Sequence, residues 1–348
     1  MTASANGHAP PRPSQKVVRR TTKPPVAQKG KEGALAWAMD HQLANSPGSP
    51  SSDAFIIAWW VIAFWFLREA LMKWAFGPLA RRCGIKQKRS VVRFAEQSWM
   101  LLYPTIFWSL GFYINQTSEY RSLNTEHYWK GYPHDALPAL TKWYYLVQTA
   151  FWIQQIIVLN LEARRKDYAQ MFAHHIITTL LVSFSYVLNF TRVGNAILCT
   201  MDLCDIFLPL AKLFKYAGAR KFSDATFAAF LVSWIVTRHV IYGIILWSVI
   251  FESPVLVPYG WRVTEGYLFS QGVHVSFCVL LCLLQIITCI WLVMILRVLW
   301  NILRGGSAED VRSDDEDDGD DDDGLIDEDD LDALPNDREV PKEPKKDR

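Results

Sequence analysis

No two of the six cysteines (Cys83, Cys199, Cys204, Cys278, Cys282, Cys289) form a CxxC pair. All but Cys83 lie in apolar runs, where a free thiol acts as a small hydrophobe, so neither a disulfide framework nor a zinc site is expected. The eight histidines show no repeated box spacing, and only His174 and His175 lie close together within an apolar run. A metal enzyme needs converging ligands, so no metal and no cofactor are expected. The stretch MTASANGHAPPRPSQKVVRR lacks the apolar core of roughly 7–15 residues that a signal peptide carries. Insertion into a membrane would then rest on internal segments. Net charge is nearly absent too, +1 over 348 residues, and no nucleic-acid partner is expected.

That total hides an asymmetry: residues 305–348 hold 20 acids and 6 bases, and the remainder 15 acids and 30 bases. The acidic end, with its SDDEDDGDDDDGLIDEDD run, and the Pro-, Ser- and Lys/Arg-rich stretch 1–53 cannot bury enough apolar surface to fold alone. Both are expected to be disordered tails around a membrane domain at 54–304.

What is abundant is apolar length. A run of about 18 or more apolar residues can span a bilayer. Seven qualify, at 55–76, 98–115, 141–160, 171–190, 195–214, 224–250 and 273–300. The expected fold class is an all-α polytopic membrane protein with about seven transmembrane helices. Lys and Arg collect in RRCGIKQKRSVVR (81–93), RRK (164–166) and KLFKYAGARK (212–221), whereas 116–140, 191–194 and 251–272 are poorer in bases. Basic loops stay cytoplasmic, so odd-numbered helices run toward the cytoplasm and the acidic tail is cytoplasmic.

Depth then follows from helical rise. His174 lies eight residues inside Lys166, about 12 Å from the cytoplasmic edge; Asp205 lies seven residues before Lys212, about 10 Å from it, with Asp202 a turn deeper. Asp202 and Asp205 share one face at i,i+3, while adjacent His174 and His175 diverge by about 100°, so only one imidazole points straight into a shared site. Ionisable groups at such depth are costly and mark functional sites. Arg238 and His239 form the other intramembrane charged pair. They lie about 25 Å beyond Lys221, nearer the lumenal side, which favours a structural or polar-gate role over catalysis.

The block RRKDYAQMFAHHIITTLLVSFSYVLNFTRVGNAILCTMDLCDIFLPLAK (164–212) resembles the signature of the ceramide synthases, the longevity-assurance branch of the TLC membrane domain family. FLREALMKW (66–74), QTAFWIQQ (148–155) and RHVIYGIILWSV (238–249) extend the resemblance over roughly 55–304. It is of fungal type: Met201 stands where many animal members carry His. Cys204 stands where Ser commonly precedes the second Asp, and fungal members tend to have an extra helix ahead of the first span.

The resemblance implies a TLC-type helical bundle that joins a long or very-long-chain acyl group, from acyl-CoA as co-substrate, to the amine of a sphingoid base. His is suited to accept the amine's proton, and a carboxylate can orient an imidazole or hold an ammonium. His174, His175, Asp202 and Asp205 are therefore the expected catalytic set. An acyl-imidazole route with sequential substrate occupancy is favoured over direct attack. Arg238, His239, Lys212 and Trp152 are candidates for substrate contact. Lys212 belongs to a basic rim that would attract the phosphates of CoA. Expected partners are acyl-CoA, a sphingoid base, membrane lipids, and a homo- or hetero-oligomer that in the fungal branch includes a small single-span regulatory subunit. The competing reading is a non-enzymatic lipid transporter or cargo receptor on the same scaffold.

The C-terminal KKDR fits a KKxx retrieval signal for the endoplasmic reticulum, and Ser313, before DDEDD, is an expected phosphorylation site. The sequons at Asn115 and Asn189 abut helix ends and are expected to remain unmodified.

Overall fold

The computed structural model describes residues 50–304 apart from 122, 135 and 163–166. The expected tails, the KKDR signal, Ser313 and Lys166 lie outside the described residues, save that the first helix begins at Pro50, four residues before the expected boundary.

Helix α1 runs through Pro50–Leu71, a π-helical turn at Met72–Phe76 and Gly77–Arg82. It is followed by α2 (Lys88–Thr117), the single turn α3 (Glu126–Trp129), α4 (Ala139–Leu161) and α5 (Tyr168–Val187). Then come α6 (Thr191–Asp202), α7 (Cys204–Tyr216), α8 (Arg220–Leu256, with π-helical turns at Val236–Ile241 and Ser248–Glu252) and α9 (Gln271–Leu303). With α6 and α7 taken as one rod, a long rod covers each of the seven apolar runs. Three stretches, Ser52–Arg82, Arg220–Leu256 and Gln271–Asn301, are on their own long and apolar enough to cross a membrane.

Two boundaries differ from the hydropathy reading. Helix α2 starts ten residues early, because KRSVVRFAEQ is amphipathic: Val91 and Phe94 pack with Ala80 and Ile85 against Leu213 and Tyr216. The run 195–214 is two helices meeting at Leu203. Pro209 lies inside the second of them, where it cannot donate to the carbonyl of Asp205, two residues past the break.

Packing closes a ring in the order α2, α4, α5, α9, α8, α7 and back to α2, with α6 wedged between α2, α5 and α8. Helix α1 lies outside against α4. An aromatic core of Phe64, Tyr103, Phe107 and Phe151 joins α1, α2 and α4, with Tyr103 and Phe151 stacked at a 3.3 Å centroid separation. One end of the ring is covered by the loop carrying α3 and by a hairpin of β1 (Gly260–Arg262) and β2 (Tyr267–Phe269), paired Trp261 to Leu268, two short strands that the sequence pattern did not announce. Tyr132 ties the cover together: its hydroxyl donates to Leu188 O and accepts from Leu268 N. Asn189, at φ 60°, donates the side-chain nitrogen that a glycan would need to Gly266 O.

Asp53, assigned by sequence to the tail, instead forms a buried ion pair with Lys142 at 2.9 Å and accepts a 2.7 Å hydrogen bond from the Tyr186 hydroxyl. Arg68 pairs with Glu162 near the other end of the same α1–α4 seam. Removing one partner of a buried pair strands a charge, so Lys142→Ala is expected to cost about 3 kcal/mol. A lowered melting temperature in detergent, restored in Asp53→Asn/Lys142→Met, would show it; an unchanged one would mean that the pair is hydrated.

Candidate active site

The ring encloses an elongated cavity, lined by side chains of α4, α5, α6, α7, α8 and α9 and by Trp129 and Phe269 of the cover. On α8 its wall runs from Arg238 to Ser253, about 22 Å of helix. One end is polar, lined by His174, Asp202, Asp205 and Arg238 with Trp152 beside them. The middle is apolar, with Leu181, Ile197, Leu198, Phe277 and Leu281, and the far end closes under Trp129, Phe269 and His274 beneath the hairpin.

Each polar group is held differently. Asp202 ends α6, is buried, and accepts a 3.2 Å hydrogen bond from Gln148 Nε2. Gln148 is itself fully buried; its Oε1 accepts from the Tyr103 hydroxyl at 2.7 Å and its Nε2 also reaches the Tyr144 hydroxyl at 3.1 Å. No cation pairs with Asp202 among the described residues. Asp205, by contrast, is bound by Arg238 Nη2 at 2.6 Å, and the same nitrogen donates to Met201 O at 3.1 Å. Arg238 Nε donates to Cys204 Sγ, and the guanidinium lies 4.4 Å from the centre of the Trp234 ring. A cation so enclosed is fixed in place, unlike a surface arginine. The His174 ring packs edge-on against Trp152 and Trp291, at 5.5 and 5.2 Å between centroids, and its Nδ1 is buried with no hydrogen-bond partner in the chain.

Residues 93–297 of this chain match the TLC domain model. The chain is 41% identical over 276 residues to the sphingosine N-acyltransferase lag1 of Schizosaccharomyces pombe, covering 79% of this chain and 70% of that protein. It is 40% identical over 286 residues to the sphingosine N-acyltransferase-like protein ALT7 of Alternaria alternata (74% and 66%). To the ceramide synthase LAG1 of Saccharomyces cerevisiae it is 36% identical over 288 residues (82% and 69%).

The chain belongs to the TLC domain family, on its ceramide synthase branch.

In this TLC domain the four residues from the signature block do not contribute equally. His174 lines the cavity; His175 is not on its wall, but is buried behind Trp152, 5.5 Å between ring centroids. Asp202 and Asp205 both reach the cavity although the helix breaks between them. Neither imidazole is hydrogen-bonded to an aspartate, so the expected carboxylate-oriented histidine is not formed: Gln148 and Arg238 occupy the two carboxylates instead.

The depth inferred for Arg238 is corrected. Its guanidinium meets Asp205, and since a helical side chain leans toward its helix N-terminus, which for α8 is the Lys221 end, the side chain covers part of that distance. The π-helical turn at Val236–Ile241 also departs from the α-helical rise used to place it. His239 turns away, toward α9, where Gln285 Nε2 lies 2.9 Å from its Nδ1. Lys212 is not on the cavity wall, whereas Trp152 is. Gln148, Tyr103, Tyr144 and Thr178 escaped the sequence reading. The available signal was weak: polar groups within apolar runs.

Proposed function

We propose that this protein is a ceramide synthase, an acyl-CoA-dependent N-acyltransferase that carries a long or very-long-chain acyl group to the amine of a sphingoid base and releases CoA. The observation that carries the reading is a single cavity with His174, two carboxylates and a fixed arginine at one end and an apolar wall beyond. A long acyl chain matches the apolar length, and a thioester and an amine match the polar end. The chain spans about two thirds of the relatives' lengths, 66% and 70% for the first two, so activity and substrates are assigned to it by this proposal.

In the proposed chemistry an imidazole nitrogen of His174 attacks the thioester carbonyl. The C–S bond breaks, CoA leaves as the thiolate, and it takes up the proton that the acylated imidazole sheds from its other nitrogen. Arg238 is positioned to stabilise the negative charge that develops on the carbonyl oxygen. The sphingoid ammonium pairs with Asp202, the carboxylate with no protein cation, and gives up its proton there. The amine then attacks the acyl carbon, the C–N bond to His174 breaks, the freed imidazole nitrogen takes up the amine's second proton, and the amide departs. Depth in the ring keeps water from the acyl-imidazole. No cofactor is needed, with acyl-CoA as co-substrate.

The same reading takes all seven rods as membrane spans, with the polar end of the cavity toward the cytoplasm, where CoA is. The four less apolar rods carry buried polar side chains such as Gln148, Gln154, Thr178 and Asn195. It places the protein in the endoplasmic reticulum, retrieved by KKDR, as an oligomer with a small single-span subunit, and regulated at Ser313.

Incubating purified protein with acyl-CoA and no base tests the chemistry. The expected result is one CoA released per protein and one acyl group on the peptide containing His174. Turnover with both substrates but no adduct and no burst would favour direct attack. No CoA release under any condition would leave the transporter or cargo receptor.

A further inference from the structure

We propose that Thr178 is a specificity residue whose hydroxyl binds a hydroxyl group that a substrate carries within a few bonds of its reacting amine or carbonyl. The inference rests on the acyl-transfer reading and adds to it which part of the substrate is recognised.

Thr178 lies on α5 four residues beyond His174, so the two side chains share a face about 6 Å apart along the axis. Both line the cavity. Thr178 is 8% exposed, and its Oγ1 is buried without a hydrogen-bond partner in the chain. That is unusual in this protein. Thr105, Thr149, Thr179, Thr200 and Thr226 each return the hydroxyl to the carbonyl four residues back, at 2.6–2.8 Å. For Thr178 that acceptor would be the carbonyl of His174. Thr237 is likewise without a partner, but it is not on the cavity wall.

A buried hydroxyl that makes no bond is expensive, and native interiors rarely keep one without use. Around Thr178 the wall is apolar: Leu181 and Val182 on its own helix, Ile197 and Leu198 on α6, Leu281 and Leu284 on α9. The chain's own alternative is the His174 carbonyl, which the hydroxyl does not use, so its partner comes from what occupies the cavity. A hydroxyl offers one donor and two acceptor positions, so it can both give to and receive from another hydroxyl. The indole Nε1 of Trp152, also buried, unpartnered and on the wall, supplies a second donor beside His174. The site is thus furnished for hydroxyl groups next to the reacting atoms. They can come from the sphingoid base, beside its amine, or from an acyl chain hydroxylated beside its carbonyl.

The test uses the purified full-length protein and two pairs of substrates. One pair is a sphingoid base and the same base lacking one chain hydroxyl, with a fixed acyl-CoA. The other is a 2-hydroxyacyl-CoA and its unhydroxylated counterpart, with a fixed base. The wild type is expected to favour the hydroxylated member in one pair by roughly three- to tenfold in kcat/KM, the worth of one neutral hydrogen bond. That pair identifies the source. Thr178→Val should bring the ratio in that pair close to one, and Thr178→Ser should preserve it. Because the hydroxyl has no partner in the chain, Thr178→Val should melt no lower than the wild type. A valine variant that unfolds or melts markedly lower would overturn the proposal by showing a structural role. So would a wild type that turns over but prefers neither member, or a valine variant that keeps the preference. A wild type with no acyl transfer at all would overturn the acyl-transfer reading itself.

Discussion

His174→Ala is expected to lower acyl transfer by about 10²–10⁴-fold, the usual worth of a positioned acid–base group, and to abolish any acyl adduct. The substitution should leave the fold intact, because the ring makes edge contacts with Trp152 and Trp291 and a tilted one with His175, and its Nδ1 satisfies no partner. His175→Ala separates the two histidines. Its ring is buried against Trp152 away from the cavity wall, so it should perturb activity through packing and lower the melting temperature, while an adduct at residue 174 still forms. Asp202→Asn belongs to the same experiment. It keeps an acceptor for Gln148 but removes the charge proposed to hold the ammonium, so the loss should appear with the base and not in the base-free release of CoA. Equal activity in His174→Ala and the wild type, measured on monodisperse protein, would end the assignment.

Arg238→Gln is expected to cost about 10²-fold in turnover, comparable to losing one oxyanion donor. It also strips a cation from Asp205. That loss is milder than the roughly 3–5 kcal/mol of a fully buried pair, because the Asp205 side chain keeps 44% exposure on the cavity side while that of Arg238 keeps 4%. A double-mutant cycle with Asp205→Asn divides the two effects. If the arginine acts mainly by neutralising Asp205, the double variant should regain both stability and activity, up to the level of Asp205→Asn alone. If it acts on the substrate, stability should return while the activity loss stays at the Arg238→Gln level with every acyl-CoA. Fully additive losses in both measurements would mean that the 2.6 Å contact between them has no energetic consequence. Arg238→Lys should not rescue, since one ammonium cannot reach Asp205, Met201 O and Cys204 together.

The sequence by itself determined where the rods lie and that His174, Asp202 and Asp205 belong together. Apolar runs are a local property of the chain, and a titratable group among them is conspicuous because its burial in lipid is costly. It could also say that one imidazole of two would face the site, from the angle between adjacent helical residues. Only the tertiary structure decided which one, and who partners whom. The bond from Gln148 to Asp202 joins positions 54 apart, that from Arg238 to Asp205 positions 33 apart, and that from Tyr186 to Asp53 positions 133 apart. Such contacts depend on how each helix is rotated about its axis against its neighbours, and no periodicity within one helix records that rotation. The break at Leu203 and the π-helical turn around Arg238 are of the same kind. Hydropathy sees a continuous apolar run in both places, whereas the packing of α8 on α6 and α7 sets which side chains they bring to the cavity.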